Sequence, residues 1–135
     1  MIRRESNHNP LNIRRDERTR WLGQRRKQYD REYVQFQSDL FGYRAAFRIL
    51  RSYIQVQGLC NLKEILHRWA PPEEGNNTRS YIETVSERSH VMPQAPLSFK
   101  DEATMVAIVC AMAWVENHLE ELNVELVKQA YLLVR

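Results

Sequence analysis

The 135-residue sequence holds two cysteines, Cys60 and Cys110, with no Cys-x-x-Cys pair. That excludes a disulfide framework and a thiolate metal site, and both residues are expected as reduced thiols buried in apolar helical surroundings. The histidines His8, His67, His90 and His118 are scattered, none of them three or four residues from another as a helical metal pair would be. No metal and no cofactor are expected. No apolar run approaches the roughly 20 residues of a membrane span, and the opening Met-Ile-Arg-Arg-Glu-Ser-Asn lacks the apolar core of a secretory signal. Four glycines and five prolines are too few for a low-complexity or collagen-like chain.

What is present is an ordinary balance for a folded protein, 43% hydrophobic and 27% charged, at a length that fits one domain spanning residues 1–135. The charge is uneven. Residues 1–33 carry ten basic and five acidic side chains, so this segment holds more than the whole net charge of +3 and the remainder is slightly acidic. A basic stretch interleaved with Trp21 and Tyr29 suits nucleic acid, an anionic cell-wall or membrane surface, or simply a solvated face with local ion pairs.

Hydrophobic periodicity predicts a mainly α fold with a basic irregular segment over 1–33 and a helical core over 38–135. In the first thirty residues Asn7, Asn9, Pro10, Asn12 and Gly23 are turn formers and apolar positions are sparse, which reads as loop with a short strand or β-hairpin. Tyr33-Val34-Gln35-Phe36-Gln37 alternates with the period of a half-buried strand. After the capping pair Ser38-Asp39, Tyr43, Ala46, Phe47, Leu50, Tyr53 and Ile54 recur at helical steps to about Gln57, with Gly58 as the stop. Asn61 and Glu64 form a capping box ahead of Leu62, Ile65, Leu66 and Trp69, and Pro71-Pro72 end that helix. Asn76-Asn77-Thr78 caps a helix carrying Tyr81, Ile82 and Val85. Ser98 is read as the cap of the next helix, with Asp101 and Glu102 in its first turn, and Met105 to Val115 is apolar enough to be central. The remaining apolar residues continue that helix or form a separate one from near Asn123, a face suited to pairing with a second copy.

Several segments resemble a known group when taken in order. They are Asn9-Pro10-Leu11-Asn12-Ile13-Arg14, Trp21-Leu22-Gly23, Val34-Gln35-Phe36 with Gly42-Tyr43-Arg44-Ala45, Arg68-Trp69-Ala70-Pro71-Pro72, Asn76-Asn77-Thr78 with Tyr81-Ile82, and Val115-Glu116-Asn117. This set resembles the small phage and prophage virion structural proteins marked by an Asn-Pro-Gly-Asn-Ile-Arg motif and a Trp-Ala-Pro-Pro segment, over about Asn7 to Asn117. Leu11 replaces the usual glycine, and His118 stands where a glycine commonly follows Glu-Asn. The Asn-Ile-Arg and Trp-x-Gly stretch is also similar to flagellar-type glucosaminidases of the lysozyme superfamily. In those enzymes the catalytic glutamate, at the end of a core helix, precedes this stretch.

The resemblance implies a lysozyme-like helical domain, and a glycosidase needs a carboxyl group able to protonate a leaving oxygen. Glu116 ends the apolar Ala111-Met112-Ala113-Trp114-Val115 run, with Trp114 as the neighbour that would favour its protonated form. It fits that role if the order of segments is circularly permuted, the glutamate helix coming last and meeting the Asn-Ile-Arg turn in space. Glu5, in Arg-Glu-Ser-Asn-His-Asn-Pro, is the alternative, although flanking arginines favour its ionised form. Asn9, Asn12, Arg14, Trp21 and Tyr81 are the candidate substrate-binding residues, with plainer roles as turn, ion-pair or core residues, and Trp69 reads as core. The implied function is a virion-associated protein acting on peptidoglycan as a muramidase or lytic transglycosylase. The alternatives are a non-enzymatic virion module with a DNA- or protein-binding basic arm, or a phage inhibitor of a host factor. Expected partners are peptidoglycan, other virion proteins or nucleic acid, and expected locations are the virion, the host cytoplasm during assembly and the periplasm on entry.

Overall fold

The computed structural model describes residues 6–119 and 122–135. Among the described residues five named α-helices carry the fold: α1 (Asp39–Arg51), α2 (Leu62–Trp69), α3 (Thr78–Ser89), α4 (Glu102–Asn117) and α5 (Val124–Leu132). Helix α1 runs on as one π-helical turn, Ser52–Val56, and a 3-10 turn, Pro72–Glu74, follows α2. Helix α4 is the centre: α3 and α5 pack on it, α1 packs on α5 and α4, and α2 packs on α3. Its near-uniform apolarity has the cause expected of a central helix, since Met105, Val106, Ile108, Val109, Ala111, Met112 and Ala113 are all buried.

The caps follow local chemistry. Asn61 Oδ1 accepts from the Glu64 N–H at 2.9 Å, while Glu64 Oε1 accepts from Cys60 N–H at 2.6 Å, so the carboxylate reaches one residue beyond the cap. Asn77 caps α3 through Ser80 N–H. Asp101, not Ser98, caps α4: its two oxygens take the Thr104 N–H and hydroxyl, while Ser98 Oγ serves only the turn at Lys100. Asn123 caps α5 by accepting from Leu126 N–H, which makes α5 a separate helix. Cys110 is half-buried on α4. Cys60 departs from expectation: it is exposed, because it sits in the α1–α2 connection and its thiol meets only the Gly58 carbonyl.

The N-terminal segment is ordered without a sheet. Residues 33–37 are extended, but Tyr33 bridges to Arg14 and Phe36 to Gln24, and two isolated bridges to different stretches make no ladder. Side chains supply what strands would. Gln35, expected on the solvent side of an alternating strand, is 7% exposed, and its amide accepts from Tyr29 N–H and donates to Asn7. Arg25, one of the basic residues, donates to the carbonyls of Phe36 and Ser6 and is therefore a structural strut. Two glycines let this segment lie on α1. A Cβ on Gly42 would sit 2.6 Å from the His8 carbonyl, and one on Gly23 would meet the Phe41 ring at 2.0 Å. Leu11, Ile13, Val34 and Phe36 thereby join the same core cluster as the helices.

Candidate functional site

Two asparagines bring residues a hundred positions apart together. Asn12 has a left-handed backbone (φ 53°), which turns its side chain towards the end of α4. There its Nδ2 donates to the carbonyl oxygen and to Oε1 of Glu116, each at 3.1 Å. Asn117 answers from the helix: its Nδ2 donates to the Pro10 carbonyl at 2.8 Å and to Asn12 Oδ1 at 3.3 Å. The Asn12 bond occupies the Glu116 carbonyl, which a helix C-terminus would otherwise leave to water. His118 then ends α4 at φ 50°, so this position, where a glycine is common in the resembling proteins, does demand the left-handed conformation.

The second oxygen of Glu116 is also held. Oε2 accepts from the Tyr81 hydroxyl at 2.8 Å and from Trp69 Nε1 at 3.2 Å. Tyr81 comes from α3 and is 7% exposed; Trp69 comes from the last residue of α2. Burial first, and then the Glu116 carboxylate, push the Tyr81 hydroxyl far above the ordinary phenol range, so it stays protonated. A protonated tyrosine can donate to a carboxylate or accept from a carboxylic acid.

Glu116 opens onto a cleft of about 360 Å³ between the N-terminal segment and the α1–α2 side. Trp21, Tyr33, Tyr53 and Trp69 line it together with Asn12, Asn76 and the carboxylates Asp16 and Glu74. Aromatic faces beside amides and acids suit a polyhydroxylated ligand, whose C–H faces stack while its hydroxyls bond. Asp16 stays ionised, because the Arg18 N–H and the Thr19 hydroxyl hold its carboxyl below the usual range.

No family model matches the chain. Residues amounting to 93% of it align, however, with protein P5 of Pseudoalteromonas phage PM2, at 32% identity over 127 residues that cover 77% of that protein. The chain belongs to the P5 family of phage proteins. In this P5 relative the Glu116 clasp joins the turn near the start of the sequence to α4 near its end, so the site is assembled by the tertiary fold.

The structure brings together some of the sequence-predicted residues and not others. Asn12, Arg14, Trp21 and Glu116 line one cleft. Tyr81 stands behind the carboxylate and touches Glu116, not the cleft lining. Asn9 is 1% exposed, and both its N–H donors are taken by the Ile13 and Val34 carbonyls, so it builds the turn beneath the cleft. Arg14 lies 3.9 Å from Glu32 and over the Tyr33 ring, the ion pair the structure gives it in place of one with Glu116. Trp114 faces away, under the Arg88 guanidinium at 3.8 Å and against His118. The tryptophan beside the carboxylate is Trp69, which its helical spacing had marked as core. Glu5 lies outside the described residues. Tyr53 and Asn76 were missed as site residues because the pattern of each is explained by a helix face or a cap.

Proposed function

We propose that this P5-family chain is virion-associated and that its Glu116 cleft binds and cleaves the glycan strands of peptidoglycan. The observation that carries the reading is the Glu116 carboxylate itself, at the end of the central helix, clasped by Asn12, Trp69 and Tyr81 and open to an aromatic and polar cleft. The arrangement also supports the lysozyme-like, circularly permuted layout, in which the glutamate helix follows the Asn-Ile-Arg turn in sequence.

In the first step the Glu116 carboxyl donates its proton to the glycosidic oxygen as the bond from that oxygen to the anomeric carbon breaks. The negative charge that this leaves on Glu116 is met by three N–H and O–H donors already in place, from Asn12, Trp69 and Tyr81. The carboxylate then takes a proton from the nucleophile that attacks the anomeric carbon. A hydroxyl of the same sugar serves as that nucleophile and closes an anhydro ring, the lytic transglycosylase outcome. The 2.8–3.2 Å contacts set the carboxylate's orientation before substrate arrives.

Purified sacculi incubated with the protein should release soluble anhydro-muropeptides, read by chromatography and mass. Glu116→Gln should lower that release by a factor of about 100 or more, the usual worth of a general acid, while sedimentation with sacculi persists. Wild-type protein that neither releases muropeptides nor sediments with sacculi between about pH 5 and 8 would remove the proposal, because that window brackets the usual range of a glycosidase acid.

A further inference from the structure

From Leu40 to Leu62 the sequence contains no acidic residue, yet it contains Arg44, Arg48 and Arg51. On a helix these positions, at spacings of four and three, stack on one face. They fall on the arc of α1 that the core leaves free: Arg48 is exposed and Arg44 and Arg51 are half-buried, whereas Tyr43, Ala46, Phe47 and Leu50 occupy the buried side. Exposed helix faces usually interleave both signs. This one does not, and among the described residues no carboxylate forms an ion pair with any of the three. Arg51 bonds the Val134 carbonyl through Nη1, which steadies that guanidinium without neutralising it. Burial first, and then the charges of Arg48 and Arg51, pull the Arg44 guanidinium below its ordinary range.

We infer that the outward face of α1 is a second binding site, separate from the Glu116 cleft, for the phosphate backbone of duplex nucleic acid. Three guanidinium groups set in line over about 10 Å of helix suit a linear polyanion, which presents one charge per about 1.7 Å of duplex axis. None of the three lines the Glu116 cleft. Arginine forks bind phosphate oxygens in pairs, and this contact is independent of base sequence. An anionic membrane fits less well, because a surface-bound helix inserts an apolar face and that of α1 is already buried in the core.

The test is fluorescence anisotropy of the full chain with a labelled duplex of arbitrary sequence, titrated from about 50 to about 200 mM salt, with vesicles of anionic phospholipid as a parallel arm. The double variant Arg44→Gln/Arg48→Gln leaves the Arg51 strut in place. It should weaken duplex binding about tenfold or more at the lowest salt and reduce the slope of log K against log salt by about two. Arg44→Lys/Arg48→Lys, which keeps both charges, should restore the slope. Circular dichroism and the thermal midpoint verify that each variant is folded, and release of strain between like charges predicts a midpoint that does not fall. The inference is overturned by no duplex binding by the wild type at the lowest salt, by an unchanged slope in the folded glutamine variant, or by binding to vesicles and not to duplex. A loss confined to Arg18→Gln/Arg20→Gln, in the N-terminal segment, would also overturn it. Muropeptide release by the glutamine variant should match wild type, so failure here and failure of the glycan reading are read separately.

Discussion

Glu116 has both carboxylate oxygens and its own carbonyl taken by donors from three other elements of the chain. Tyr81→Phe removes one of those donors where water cannot easily replace it. Stability should fall by about 1.5–3 kcal/mol, the range for a hydrogen bond to a charged group, and muropeptide release should fall with it. Denaturant titration and the sacculus assay read the two effects separately. The same tyrosine sets an alkaline limit. Its folded-state hydroxyl ionises far above the ordinary value of 10.0, whereas the unfolded chain's ionises near it. Its contribution is therefore complete below about pH 10 and is lost as pH rises further, at about 1.4 kcal/mol per unit for this one group. The phenylalanine variant should show a shallower alkaline loss in urea melts from about pH 9 to 11, and an identical slope would contradict this linkage. Glu116 and Asn12 were legible because each stands in a recognisable motif. Trp69 was not, since the spacing that buries Leu62, Ile65 and Leu66 also assigns it to the core, and only its position at the last turn frees its N–H for Glu116.

The helices were legible as elements because their signals are local. Asn61, Asn77 and Asn123 cap α2, α3 and α5 through their own side chains. Asn123→Ala should cost about 1 kcal/mol, the typical worth of a cap, seen as a lower thermal midpoint. A larger loss is expected at the far end of α5, where buried Tyr131 donates to the Phe99 carbonyl at 2.7 Å and packs edge-on against Phe47. Tyr131→Phe keeps the ring contact but strands that carbonyl, so about 1–3 kcal/mol should be lost in denaturant titration. The choice between Ser98 and Asp101 as cap of α4 was less legible. Both residue types cap well, and the difference lies in where the preceding loop lets the chain enter the helix.

For the whole molecule, the decisive event is the docking of the N-terminal segment on α1 and α4. Gly42→Ala would push a methyl group into the His8 carbonyl and the Pro10 ring, backbone-anchored groups that cannot rotate away. We expect a loss of about 1–3 kcal/mol, the usual cost of overpacking, together with faster amide exchange over residues 7–14. If exchange there is unchanged, the glycine contact does not hold the segment in place.

The sequence by itself determined a mainly helical protein, the places of α1 to α4 and the central position of α4, because periodicity, caps and proline stops act within a few residues; it left open whether α5 was a separate helix. The tertiary structure alone decided the rest. It chose a loop held by Gln35, Arg25 and Asn9 over a hairpin, buried two proposed ligand residues, Asn9 and Tyr81, and set Tyr81 and Trp69 on a carboxylate that lies 35 and 47 residues away. Contacts of that span depend on how elements pack, and no local pattern in a single sequence records which distant donor will fill a buried acceptor.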